Sequence, residues 1–334
     1  MSSINKQERI AVVLLNLGGP DSESAVEPFL FNLFNDPDII NFPLSFLFRK
    51  KLAKLISSKR APKIIKQYNE IGGKSPIYEL TKKQAELLEI ELNKVFDAKV
   101  FIAMRYWKPF TVTAVEEIIK EQFKTVILLP LYPQYSISTT GSGFNEWNRI
   151  TALKNLSSDV KIYYINNYRD YGRYIDSIAG RIKEGLNKFP EDKRKNVIVL
   201  FSAHGTPLKL VKQGDPYSVH IRETVKLTAE KAGLDKYKLC FQSKVGPQKW
   251  LKPSTPDVIK EVIKEGYKNI LVVPVAFVSD HLETLFELGI EYRKLAAENG
   301  AENFIVTEGL NDSPVFIMAL SELVINKLKN PGIN

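Results

Sequence analysis

His204 stands in the run VLFSAHGTPLKL, between an apolar strand-like stretch and a glycine-proline loop. An imidazole at the end of a strand titrates near neutral pH and can carry protons to and from a ligand. It is one of only three histidines in the chain, and His220, in the polar run YSVHIRETVKL, reads as a solvated helix position. The run VVPVAFVSDHLETLFELGIEY supplies the matching acids. Asp280, Glu283 and Glu287 fall close to one helical face, which costs stability unless water, protons or a cation intervene. Phe277, Leu282, Leu285, Phe286 and Leu288 crowd that face. Carboxylates in apolar surroundings hold protons more tightly and can relay them or pass a metal ion. Asp280 also suits a plain helix N-terminus, and His281 either faces the site or fills the core.

Other strand ends carry ligand-binding chemistry of a different kind. NLGGPDS from Asn16 places Gly18 and Gly19 at a strand-to-helix turn, but neither a G-x-G-x-x-G nor a Walker-type phosphate loop occurs, so nucleotide binding is disfavoured. AMRYWKPF puts Arg105, Tyr106 and Trp107 at one mouth, and QSKVGPQKW offers Lys244 and Trp250 at its counterpart. Aromatics beside cations suit a flat, anionic, largely apolar ligand, unless the Trp side chains are simply core. Residues 32–68 combine Leu, Phe and Ile with Arg49, Lys50, Lys51, Lys54, Lys59 and Arg60, which predicts an interfacial lip touching an anionic membrane or covering a greasy ligand; a buried helical hairpin is the alternative.

These residues need elements to hold them. Short β-rich runs begin at Ile10, Val100, Val126 and Ile162, and again at Val197, Lys238, Ile270 and Phe304. Amphipathic stretches from Thr81, Val112, Tyr171, Pro256 and Pro314 lie between or after them, a βαβ pattern. Residues 109–130 align without a gap on 253–274, with identical pairs such as Thr111/Thr255, Glu117/Glu261, Lys120/Lys264 and Pro130/Pro274. This repeat predicts an α/β protein of two similar Rossmann-like lobes, each a parallel sheet flanked by helices, with an interlobe cleft. The expected lobes are 1–166 and 167–313, with 314–334 a C-terminal helix returning to the first. Ligands of such sheets bind beyond the carboxyl ends of the strands.

Composition narrows the classes. Hydrophobic residues at 44% and charged residues at 25% describe a folded globular chain of 334 residues, and no apolar stretch is long enough to span a bilayer. The N-terminus MSSINKQERI has no export signature, so a cytoplasmic address is expected. The single cysteine, Cys240, excludes an intrachain disulfide and reads as a buried thiol. The formal charge of +9 is read as cations dispersed among 38 acidic residues, which argues against nucleic acid.

Taken together, NLGGPDS, QYNEIGGKSPI, MRYW, LYPQYSISTTGS, SAHGTP, QSKVGPQKW and SDHLETLFELGIEY resemble the ferrochelatase family, in family order from Asn16 to Tyr292. The resemblance implies insertion of ferrous iron into protoporphyrin IX, forming protohaem, the last step of haem biosynthesis. Coproporphyrin III is the alternative substrate, and a two-lobed binding protein the non-enzymatic one. It implies His204 and Glu283 as catalytic and metal-side residues, acting from opposite faces of the macrocycle, with Asp280 and Glu287 as a supporting acidic path. Leu17, Arg60, Ser75, Arg105, Tyr106, Ser243, Trp250, Phe277 and His281 fall on its porphyrin pocket. Fe2+ enters as substrate and no cofactor is tightly bound. Ile137 replaces the cysteine that animal members carry there, and the chain ends in KNPGIN, so no iron–sulfur cluster is expected. Leu17 stands where a methionine is common.

Overall fold

The structure, a computed structural model, describes residues 9–39, 45–244 and 248–332. The chain divides into two compact units, Met1–Asn167 with Ile317–Asn334, and Tyr168–Phe316.

The first unit is built on four parallel strands, β1 (Arg9–Asn16), β2 (Asp97–Met104), β3 (Thr125–Pro130) and β4 (Lys161–Tyr164), in the order β2-β1-β3-β4. Its helices are α1 (Val26–Phe34), α2 (Ser45–Asn69), α3 (Ile77–Leu92), α4 (Thr111–Lys120) and α5 (Ser142–Leu153). In the second unit α6 (Gly172–Asn187) precedes β5 (Val197–His204), and α7 (Leu208–Lys212) and α8 (Tyr217–Ala232) follow it. Then come β6 (Tyr237–Gln242), α9 (Thr255–Lys264), β7 (Asn269–Pro274), α10 (Arg293–Glu298) and β8 (Asn303–Val306). The strand order β6-β5-β7-β8 repeats that of the first sheet. Helix α11 (Pro314–Lys329) joins the first unit from Ile317 onward. The α/β fold class and all eight strands expected from the sequence are present.

The physical reason the strands were legible is their burial on both faces. Every residue of β3 and β7 is buried, as are Ile10–Asn16 of β1, so these segments read as unbroken apolar runs. Ala11, Val13 and Leu15 alternate onto one face and pack with Ala114, Val115, Ile118, Trp147 and Ile150. Ile198, Leu200, Val258, Ile259, Val262 and Val272 build the equivalent layer of the second unit. Cys240 is fully buried there, as expected.

Register extends the repeat. Leu15 pairs with Pro130 and Ser202 with Pro274, so Leu17 of the first unit matches His204 of the second. One fold position therefore carries an apolar side chain in one unit and an imidazole in the other.

Two expectations need correction. Helix α2 carries eight Lys and Arg and no acid, leaving 39 Lys and Arg against 38 Asp and Glu in the rest of the chain, so the net charge of +9 is concentrated rather than dispersed. In this helix Phe48 and Leu55 are 56% and 51% exposed. Residues 40–44 of the expected lip, and the side chains of 45–47, lie outside the described residues. His220 is half-buried on α8 rather than solvated, its Nδ1 enclosed without a hydrogen-bond partner among the described residues.

Candidate functional site

The chemistry gathers at the carboxyl edge of the second sheet. His204 is the last residue of β5, and β7 lies directly beside β5, so the loop leaving β7 crosses over the end of β5. That loop leads into a π-helix, Glu283–Tyr292, a rare wide helix found mostly at functional sites. Its first residue meets the imidazole: His204 Nδ1 lies 3.0 Å from Glu283 Oε2. The two side chains keep 35% and 29% of their surface. His204 Nε2 and Glu283 Oε1 make no hydrogen bond or ion pair among the described residues and remain available to a ligand.

The pair expected to act from opposite faces of a macrocycle is here in direct contact.

Burial lowers the proton affinity of His204, but the charge and hydrogen bond of Glu283, with Glu287 behind it, more than compensate and leave the imidazole above its ordinary value. Burial likewise pushes Glu283 up, and the His204 and His281 rings overcome this and hold its carboxyl far below the usual range. His281 is buried, with Nε2 3.6 Å from the same Glu283 oxygen. Phe277 sits against both rings, 4.4 Å from His281 and 6.2 Å from His204 between centroids.

Glu287 is engaged differently. It accepts from Ser243 N at 3.0 Å, Ser243 Oγ at 2.5 Å, Gln242 Nε2 at 3.2 Å and Tyr292 Oη at 2.6 Å. Burial and then repulsion from Glu283 raise its pKa. Two of its donors hold Ser243 in a left-handed conformation, φ 64°, unfavourable for a residue with a Cβ. Asp280 does not join the other acids. Its carboxylate accepts from the Thr284 hydroxyl, Gly309 N and the Asn311 amide, and among the described residues it caps no backbone N–H of the helix that follows.

The remaining pocket candidates divide between the units. In the second, Trp250 bridges to Pro207 and is half-buried, its indole N–H enclosed without a hydrogen-bond partner among the described residues. In the first, Tyr106 is 1% exposed and donates to Asp36 at 2.6 Å. Arg105 donates to Ser142 Oγ at 2.8 Å and pairs with the same Asp36 carboxylate at 3.0 Å. Half-buried Leu17 accepts from Tyr106 N at 3.0 Å. Ser75 is buried against Gly19, where any Cβ would lie 2.5 Å from its Oγ. Gly19, in the loop after β1, is therefore a glycine of close packing against the start of α3, and needs no phosphate to explain it. Arg60 lies over the Phe34 ring, its guanidinium pKa lowered by burial. Among the described residues no group of three or more His, Cys, Asp or Glu could hold a metal ion.

Sequence reasoning missed the supports of the dyad. Tyr217 Oη donates to the His204 carbonyl at 3.0 Å, and Gln242 joins Ser202 Oγ at 2.7 Å to the Glu287 carboxylate. Their signals are faint: an Asp-Pro-Tyr helix start, and a glutamine at a strand end. Gly205 is more telling, since a Cβ there would lie 2.8 Å from the Gln242 carbonyl oxygen, a backbone atom. Gly205→Ala is expected to destabilise the protein by about 1–3 kcal/mol through overpacking, read as a lowered urea midpoint with unchanged slope.

Comparison with known proteins places this geometry. A profile of the ferrochelatase family matches residues 9–328. The chain is 49% identical over 318 residues to the ferrochelatase of Aquifex aeolicus, covering 95% of this chain and 99% of that one. It is 47% identical over 317 residues to that of Geotalea daltonii, covering 95% and 97%. Among solved structures it resembles SirB from Bacillus subtilis with Fe3+ at a TM-score of 0.58 and 14% identity, over 97% of each chain, a likeness of fold. With family profile, close relatives and chelatase fold in agreement, the chain belongs to the ferrochelatase family and is an enzyme, a metal chelatase.

Proposed function

We propose that the chain inserts Fe2+ into protoporphyrin IX to form protohaem, the last step of haem biosynthesis. One observation carries the reading: a histidine hydrogen-bonded through Nδ1 to a depressed-pKa carboxylate, with Nε2 open to a ligand. Two pyrrole N–H bonds must break for each iron that enters. Each proton passes to His204 Nε2 while the electron pair stays on the pyrrole nitrogen, and the imidazolium, stabilised by Glu283, returns the proton to water before the second transfer. The freed lone pairs then bind Fe2+, and Glu283 Oε1 is the oxygen able to meet the metal on that side. Bending the macrocycle to expose those lone pairs draws on binding energy from its apolar body and carboxylates.

The test is anaerobic. Protein, Fe2+ and either protoporphyrin IX or coproporphyrin III are mixed and loss of free-porphyrin fluorescence is followed. The expected result is insertion into both above the uncatalysed rate, with kcat/KM higher for protoporphyrin IX. The reverse preference would reassign the substrate, and no insertion into either would remove the function.

Helix α2 supports peripheral contact with anionic lipid, at about 1 kcal/mol for each Lys or Arg near the surface. No helix among the described residues is long and apolar enough to cross a membrane. Vesicles containing phosphatidylserine should pellet the protein, and those of phosphatidylcholine alone should not. Changing Lys50, Lys51, Lys54 and Lys59 to Glu should abolish pelleting; equal pelleting before and after would exclude the contact.

A further inference from the structure

We propose that Asn311 is a positioning residue for the iron-insertion reaction, acting through Asp280 to set the entry of the π-helix from which Glu283 meets His204; this rests on the function proposed above. The pairing is reciprocal. Asp280 N donates to Asn311 Oδ1 at 2.9 Å, and Asn311 Nδ2 donates to Asp280 Oδ2 at 2.8 Å. Asn311 N adds a bond to the Val278 carbonyl at 2.8 Å. Gly309 N lies 3.2 Å from each Asp280 oxygen, and a Cβ at Gly309 would meet Asp280 N at 3.0 Å and Ser279 C at 3.1 Å. The 309–311 turn thus packs and bonds directly onto residues 278–280.

Three features give this clamp a purpose beyond local stability. Asn311 is 9% exposed and held at φ 45°, a conformation asparagine tolerates better than most residues with a Cβ. Three donors converge on the Asp280 carboxylate, the Thr284 hydroxyl, the Gly309 N–H shared between its two oxygens and the Asn311 amide, so both oxygens are turned toward the 309–311 turn and Thr284. Residues 275–281 form no strand or regular helix, yet Glu283 must emerge with its carboxylate 3.0 Å from His204 Nδ1. An anchor three residues upstream fixes the phase of the π-helix where the loop alone would not. Ser136, six residues past the end of β3 as Asp280 is six past the end of β7, caps its own turn through Ser138 N at 3.3 Å. A serine therefore suffices for capping, and the carboxylate of Asp280 is used to reach the 309–311 turn.

The test is a double-mutant cycle. Asn311→Asp faces Asp280 with a second carboxylate, and Asp280→Asn faces Asn311 with a second amide. Each should lower kcat about 10- to 100-fold with little change in KM for porphyrin, the loss expected of a misplaced catalytic group. The swap Asp280→Asn with Asn311→Asp restores a complementary pair and should recover most of the rate. Asn311→Gly, which accepts the left-handed backbone but lacks the amide, should lose kcat like the single variants while remaining folded. A second readout does not need turnover: the downfield proton resonance of His204 Nδ1–H bonded to Glu283 should be lost in the single variants and return in the swap. Single variants with parental kcat and resonance would overturn the proposal. A swap no better than the worse single variant would also overturn it, and would return Asp280 to the proton or metal path. A parent that inserts no iron while the resonance follows the expected pattern would remove the function and keep the clamp.

Discussion

Iron insertion by His204→Ala is expected to fall about 10²- to 10⁴-fold in kcat, the range for removal of a general base. Among the described residues Nε2 of His204 has no hydrogen-bond partner, so it is the atom offered to a pyrrole proton. The substitution should leave the fold intact, because the ring keeps 35% of its surface and its truncation opens no sealed cavity. Porphyrin affinity, measured by fluorescence quenching without iron, should stay within about threefold of the parent, since an interaction made mainly in the transition state leaves ground-state binding alone. Added imidazole should restore part of the rate. A variant that binds porphyrin and inserts iron at the parental rate would remove His204 from the chemistry.

Glu283→Gln should lower the plateau rate about 10²- to 10⁴-fold, as expected when a base loses the carboxylate that orients it and stabilises its protonated form. It should also move the pH profile in a determined direction. Burial opposes protonation of His204, and Glu283 reverses this, so the parental imidazole becomes the free base only above its ordinary value of roughly 6.5. The acidic limb of kcat/KM then lies above that value. Without the carboxylate charge burial prevails, and the limb should shift to lower pH. Stability follows the same linkage. The raised His204 pKa contributes stability that is complete below about pH 6.5 and lost as pH rises through the folded value. The depressed Glu283 pKa contributes stability present above its ordinary value of about 4.5 and lost as pH falls through the folded one. The variant should flatten both arms in urea titrations across pH, and an unmoved acidic limb would contradict the dyad.

Residues 125–130 and 269–274 announced buried strands because parallel strands covered on both faces have no polar alternation to obscure them. His204 was legible for a related reason: a titratable side chain at the end of such a run lies where α/β sheets bind ligands. The charge on α2 was equally available by counting along one helix. The beginning of α3 was less so, and Ile77–Leu80 precede the expected start at Thr81 because the pattern there lacks a polar capping side chain. The π-helix could not be read at all, since its spacing departs from the 3.6-residue period by which helices are recognised.

What the sequence determined by itself is local: which segments are buried, where strands end, that the chain is repeated, and that a histidine and three acids stand at two of those ends. Only the tertiary structure decided how these groups pair. His204 and Glu283 are 79 residues apart and meet because β5 and β7 are neighbours in register. Asp280 leaves the acidic face because the 309–311 turn, closer in space than in sequence, supplies its donors. Glu287 is bound into the backbone of Ser243 after β6. Periodicity encodes burial one element at a time, whereas the partner of a buried charge depends on which strand end lies alongside it, and that is settled only when the sheet closes its register.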